Sequence, residues 1–225
     1  MHGARSYIHI DELPEIIAVF PLTGAMLLPQ TRLPLNIFEP RYLAMIDAAM
    51  AGTRIIGMIQ PKIAGDDMTT KPELARVGCV GRIVEYAETE DGRYMITLLG
   101  IARFDIAEEI ENDDKTPFRQ IQANYAPYAP DLAIEQPAHI ERERLIDVLK
   151  PYLADRDMET DWHAIDEAPV DALINALSIM CPFDPAEKQA LLEAPTIDER
   201  AETLIALLNI ANATPSTSGN DTPFN

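Results

Sequence analysis

Cysteine is nearly missing from this 225-residue chain: there are two, Cys79 and Cys181, far apart and each set inside an apolar pattern. That excludes a disulfide-stapled secreted scaffold, and two buried reduced thiols are the expected arrangement. Basic side chains are also scarce, 18 against 37 acidic, for a formal net charge of -19. A surface of that sign repels nucleic-acid phosphates and anionic lipids, so the expected partners are proteins, with no nucleic acid and no membrane. The imbalance is uneven, with 12 basic against 18 acidic residues up to residue 130 and 6 against 18 over 131–212. Long hydrophobic runs are missing as well. The longest, Ile16 to Pro29, is interrupted by Pro21, Thr23 and Gly24 and is too short to span a bilayer. Between Arg5 and the pair Asp11-Glu12 there is no room for the apolar core of a secretory signal, so a cytoplasmic location is expected. Histidine is sparse and scattered: His2, His9, His139 and His163 have no partner at ligand spacing, and neither a metal site nor a cofactor is expected.

What is present is a chain with 47% apolar and 24% charged residues, ordinary for a folded domain. Ile16 to Phe20 reads as a buried strand, and Arg32 to Ile37 alternates Leu33, Leu35 and Ile37 on one face, with Pro34 marking an edge or bulge. At Glu39-Pro40 the period changes to about 3.6, giving a helix with Tyr42, Met45, Ile46, Ala49 and Met50 inward and Gly52 at its end, with the Glu39 carboxylate as cap. Arg54 to Gln60 is a strand, Lys62 to Pro72 a polar loop, and Val77 to Ala87 and Tyr94 to Leu99 form a hairpin turned by Asp91-Gly92. Ala102 to Ile110 and Phe118 to Tyr125 read as two further strands around the acidic turn Glu111 to Lys115. Beyond the linker prolines Pro127, Pro130 and Pro137 the pattern is helical. It includes Ile140 to Leu153, bent or ended near Pro151, then Val170 to Met180, Pro185 to Glu193 and Ile197 to Asn209. The last two are opened by the capping boxes Asp184-Pro185-Ala186-Glu187 and Thr196-Ile197-Asp198-Glu199.

Phe20-Pro21-Leu22, Pro29, Leu33-Pro34-Leu35, Ile37 to Tyr42, Val77 to Gly81 and Leu99 to Phe104 fall in an order and spacing that resembles the N-terminal domain of the ATP-dependent Lon proteases. The likeness covers about 110 residues and continues through the helical tail to roughly Leu208. It has the form found in small bacterial proteins that keep this domain without the ATPase and protease domains. The resemblance implies an α+β fold: an N-terminal β-rich, PUA-like pseudo-barrel with one early helix, followed by a C-terminal helical bundle. The expected organisation is a barrel domain over 1–130, the bundle over 131–212 and an unstructured tail over 213–225.

No catalytic apparatus is legible. Gly52 to Gly57 has the glycine spacing of a phosphate loop, but Met58 and Ile59 stand where Lys and Ser/Thr are needed, and the stretch leads into a strand. Ser6, Ser178, Ser216 and Ser218 lie in settings unsuited to a nucleophile. His163 beside Trp162 and the pairs Glu108-Glu109 and Asp113-Asp114 are read as surface groups. Two stretches are candidates for protein binding. Phe38, Glu39, Arg41 and Tyr42 bring aromatic, acidic and basic groups to a strand-to-helix junction, where capping, ion pairing and core filling compete as explanations. Met26, Leu27 and Leu28 form a Met-containing apolar loop suited either to varied unfolded segments or to the core.

The resemblance thus implies a non-catalytic module that recognises client or unfolded protein segments, an adaptor or holdase, with a separate protease or chaperone as partner and homo-oligomers left open. The alternative is a small-ligand or nucleic-acid binder of PUA-like shape. That alternative requires Arg76, Arg82, Arg93 and Arg103 to gather into a basic stripe.

Overall fold

The computed structural model describes residues 7–62, 71–111, 116–133 and 138–213. The core of the expected polar loop, the turn at 112–115, the segment 134–137 and the tail from 214 lie outside them.

Strand β1 (Ile16–Pro21) is the β-branched run of the sequence, extended to Pro21, which sits in register with Ile59. It is followed by β2 (Arg32–Ile37), β3 (Ile55–Ile59), β4 (Val77–Glu88), β5 (Tyr94–Ile110) and β6 (Gln120–Asn124). The sheet order is β2-β5-β4-β3-β1-β6, and β6 also pairs with β5. Five strands therefore close into a barrel and β2 flanks it. Only β1 and β3 run parallel among these pairs. Inside lie Ile17, Val19, Ile59, Val80, Phe104 and Ile121. Both cysteines are buried.

The sequence reads as separate strands on either side of Gly100, whereas β5 is one strand of 17 residues. Its first half pairs with β2 and its last with β6, and register shifts between Val80/Gly81 and between Ile106/Glu108 let one strand serve both. Gly100 is not a break but a point of close approach to Leu28. Opposite it, Gln30 and Thr31 form a bulge: the Gln30 amide donates to the Gly100 carbonyl and the Gly100 amide to that of Thr31, both at 2.9 Å, with Gln30 at φ 64°. Because ladder bonds alternate, Arg32, Pro34 and Asn36 turn their backbone groups to the open edge. Pro34 has no N–H to offer there, which blunts strand addition. The Asp91-Gly92 hairpin forms as read, with Gly92 at φ 76°.

Helix α1 (Pro40–Ala51) buries Tyr42, Met45, Ile46 and Ala49. The expected Glu39 cap is not made by its side chain. The Glu39 carbonyl accepts from the amides of Tyr42 and Leu43, both 2.9 Å, while its carboxylate is drawn to Arg41, whose Nε donates to Oε2 at 3.0 Å.

The remaining helices are α2 (Arg142–Asp155), α3 (Trp162–Glu167), α4 (Val170–Met180), α5 (Pro185–Glu193) and α6 (Ile197–Ala213). Pro151 does not end α2, because Tyr152 and Leu153 beyond it are buried and hold the last turn in place. Helix α3 is absent from the sequence reading. The Asp161 carboxylate caps it, accepting from His163 and Ala164 at 3.0 and 3.1 Å, and His163 itself faces solvent. Among the described residues no helix is long and apolar enough to cross a membrane.

The chain divides into two compact units that are discontinuous in sequence. One holds the barrel up to residue 133 together with 179–193, so α5 counts with the sheet; the other holds 138–178 and 194–213. In the first unit, buried Gln60 accepts from the Gly24 amide at 3.1 Å and donates to the Pro185 carbonyl at 3.0 Å. Lys188 donates to the Gly24 carbonyl at 3.0 Å, and Gln189 to that of Val77 at 3.1 Å. In the second, Asn212 on α6 donates to the Val148 carbonyl of α2 at 3.0 Å and buried Arg200 to Asn175 at 2.9 Å.

Both capping boxes close reciprocally. The Asp184 amide donates to Glu187 and the Glu187 amide to Asp184, each at 2.8 Å, and Thr196 and Glu199 repeat the pattern at 3.1 and 3.2 Å. Asp184→Ala is expected to cost about 0.5–2 kcal/mol in chemical denaturation. Glu187→Ala should act in the same direction, and the double variant should cost less than the two single losses added, since the two bonds share one geometry.

Candidate functional site

Four prolines flanking strands gather at one end of the barrel. Pro21 ends β1 and Pro61 follows β3, while Pro72 precedes β4 and Pro117 precedes β6. Since β4 and β6 run antiparallel to β3 and β1, these two strand ends and two strand beginnings fall on the same rim. The rim walls a cleft of about 380 Å³, completed by Thr23, by Tyr42 and Phe118, and by Arg41 and Arg119. The start of α1 is thereby brought to the barrel mouth.

Tyr42 turns inward, its ring 4.3 Å from that of Phe20, and the Arg41 guanidinium lies over the Tyr42 ring at 4.5 Å. Burial pushes the Tyr42 phenol up, against the pull of the Arg41 charge. Arg41 and Glu39 pair at 2.9 Å with both side chains near half exposure, 46% and 44%. Arg119 is fixed instead: it donates through Nε and Nη2 to the two oxygens of Glu109, at 2.9 and 2.7 Å, and through Nη1 to the Pro72 carbonyl at 2.6 Å. Lys71 adds a contact to Glu109 at 2.9 Å. The Arg119 bond, aided by Lys71, holds the Glu109 carboxyl below the usual carboxylate range.

Of the residues singled out from the sequence, Arg41 and Tyr42 line this cleft. Phe38 stands on the surface, 61% exposed, with Arg93 over its ring at 5.9 Å. Met26, Leu27 and Leu28 are not displayed; all three are buried. The reason is a hollow on the sheet, where Gly81 and Gly100 face each other in register and a side chain on either would strike Leu27 or Leu28. The loop fills what the two glycines vacate. Phe118, Arg119 and the rim prolines were not legible as site residues. Their signal is proline at the ends of strands, which becomes a site only once the topology is known.

The four arginines that a basic stripe requires are engaged separately. Arg76 pairs with Asp105 at 2.9 Å and Arg93 with Asp91 at 2.8 Å. Arg82 donates to the Tyr7 hydroxyl at 2.9 Å, and Arg103 is buried on Asp131 at 2.7 Å. Gly52 ends α1, and Gly57 lies in β3 against Phe104, so the two glycines belong to a helix end and a strand and not to a loop that opens a helix. Among the described residues no group of His, Cys, Asp or Glu is placed to hold a metal ion.

Residues 16–210 match the family model described as the ATP-dependent protease La (LON) substrate-binding domain. The Lon protease of Desulfosudis oleivorans is 30% identical over 117 residues, covering 51% of this chain and 14% of the relative. That of Dictyoglomus thermophilum is 23% identical over 229 residues, covering 92% and 27%. The chain thus spans about a quarter or less of the length of these relatives. Among solved structures, a Lon N-terminal domain protein from Xanthomonas campestris superposes with a TM-score of 0.58 at 21% identity, over 85% of this chain and 97% of that one. The N-terminal domain of the Mycobacterium avium complex Lon protease gives 0.56 at 18%, over 86% and 98%. These likenesses establish the α+β fold.

Proposed function

The chain belongs to the LON substrate-binding domain family, and we propose on that premise that it is a protein-binding module that engages exposed apolar segments of client proteins without chemistry of its own. The family match across 16–210 carries the reading. In this reading the client sits in the cleft at the proline rim. Its walls are proline rings and aromatic faces held by the sheet, a preformed apolar surface that gives up little conformational freedom on binding. Ser178, the one described serine, supports a non-catalytic role: it is fully buried and its hydroxyl donates to the Ile174 carbonyl at 2.7 Å. In this reading the protein acts in the cytoplasm as an adaptor or holdase, passing clients to a separate protease or chaperone.

The test is retention on an immobilised, reduced and alkylated model protein against its native form. Binding to the unfolded form alone, independent of ATP, is expected. Equal retention by both forms or by neither contradicts the reading, as does cleavage of casein by the pure protein.

A further inference from the structure

We propose that the cleft selects a client segment carrying an apolar side chain next to an aspartate or glutamate, with Arg41 exchanging Glu39 for the client carboxylate. The inference rests on the client-binding reading above and names the segment that the cleft fits. On a molecule of net charge -19 the two charged side chains that line the cleft among the described residues are both guanidiniums, those of Arg41 and Arg119. Arg119 is 13% exposed and bound to Glu109 and the Pro72 carbonyl, so it forms fixed wall. Arg41 is different. Its ion pair with Glu39 sits at the surface, uses a single carboxylate oxygen for both Nε and Nη2, and joins two solvated groups two residues apart. Exposed pairs of this kind contribute little, so an incoming carboxylate can replace Glu39 with little loss.

The backbone favours the same exchange. Glu39 makes no side-chain cap and the first turn of α1 carries no acidic residue, so the positive end of a 12-residue helix adds to the Arg41 charge. The apolar requirement comes from the walls. A volume of about 380 Å³, framed by Pro21, Pro61, Tyr42 and Phe118, is near the lower end of ligand pockets and admits a side chain or two, not a folded element. A carboxylate alone has nothing to fill that space, and an apolar residue alone leaves Arg41 on Glu39. The two together satisfy both halves of the cleft.

The test uses the full chain and four labelled, unstructured peptides identical except at two central positions, Leu-Asp, Leu-Asn, Leu-Lys and Ala-Asp, titrated by anisotropy. Leu-Asp is expected to bind about threefold to fivefold more tightly than Leu-Asn and Leu-Lys, the scale of an exposed ion pair, and more tightly than Ala-Asp by the burial of the leucine side chain. Arg41→Gln should equalise Leu-Asp and Leu-Asn, and Glu39→Gln, which removes the competing carboxylate, should strengthen Leu-Asp. Thr23→Trp, an exposed position on the cleft wall, should block all four while leaving the fold intact by circular dichroism. Equal binding of Leu-Asp and Leu-Asn by the native protein, or a preference that survives Arg41→Gln, overturns the inference. If unfolded protein is still retained in that case, the broader client-binding reading stands. If it is not retained, that reading falls first.

Discussion

Replacing Asp131 by alanine should destabilise the barrel unit by about 3–5 kcal/mol, a large share of a domain's total stability. Arg103 and Asp131 are 4% and 3% exposed, so neither charge is solvated. Arg103 donates to Asp131 through Nε at 2.8 Å, Nη2 at 2.7 Å and its backbone amide at 2.9 Å, and its Nη1 donates to the Leu192 carbonyl of α5 at 3.2 Å. The guanidinium also lies over the Tyr128 ring at 4.8 Å. Burial works against the Arg103 charge, and the bonds from Asp131 sustain it. Without the carboxylate, a buried cation loses the charge that offsets its burial. One ion pair thus ties β5, the 3-10 helix Ala126–Leu132 and α5 together, and hydrogen exchange in α5 should accelerate in the variant. The control is Arg103→Met with Asp131→Leu, which removes both charges at similar volume and should recover most of the loss. A loss below about 1 kcal/mol for Asp131→Ala in denaturant titration would show the pair to be dispensable.

Gly100→Ala should cost about 3 kcal/mol, the upper end of what overpacking a well-ordered site does. The added Cβ would lie 2.0 Å from the Leu28 carbonyl oxygen and 2.9 Å from its carbon. These are backbone atoms, and the Gln30-Thr31 bulge fixes the chain there by bonding Gly100 on both its amide and its carbonyl. Neither side can give way without breaking the bulge and lifting Leu27 and Leu28 out of the core. Gly92→Ala is the informative comparison. A Cβ there meets nothing within 4 Å, but φ is 76°, so the substitution carries only the backbone cost of about 1–2 kcal/mol. If denaturant midpoints rank Gly92→Ala as the worse of the two, the close approach of Leu28 is not the constraint it looks to be.

The local chemistry of this chain was legible wherever a few neighbouring residues decide the outcome. Asp91-Gly92 dictates its turn, Asp184 to Glu187 and Thr196 to Glu199 write their capping boxes in full, and Pro40 opens α1. Pro34 also declares its place on an edge strand, because a residue without an N–H cannot serve an inner ladder. What failed to show was decided at a distance. Met26 to Leu28 fit either a displayed loop or the core when read from their sequence neighbours, and the structure buries them. The hollow that buries them is made by Gly81 and Gly100, more than 50 residues later. The cut at Gly100 fails for the same reason, since that glycine answers to Leu28 and not to a strand end.

The candidate site was half legible. Arg41 and Tyr42 stand out as an aromatic and a base at a strand-to-helix junction. Four prolines at strand ends read only as punctuation until the antiparallel pairing of β4 and β6 brings them to one rim. Glu39 shows the limit of a capping rule, since a nearer cation took the carboxylate that the helix start would have used.

The most direct test of the central claim is hydrogen-exchange mass spectrometry of the full chain with and without an unfolded model protein. If the proline rim holds the client, protection should rise in segments 21–24, 40–43 and 117–120 and leave the Asp91-Gly92 hairpin unchanged. Protection confined to other segments, or no change at saturating client, would contradict it.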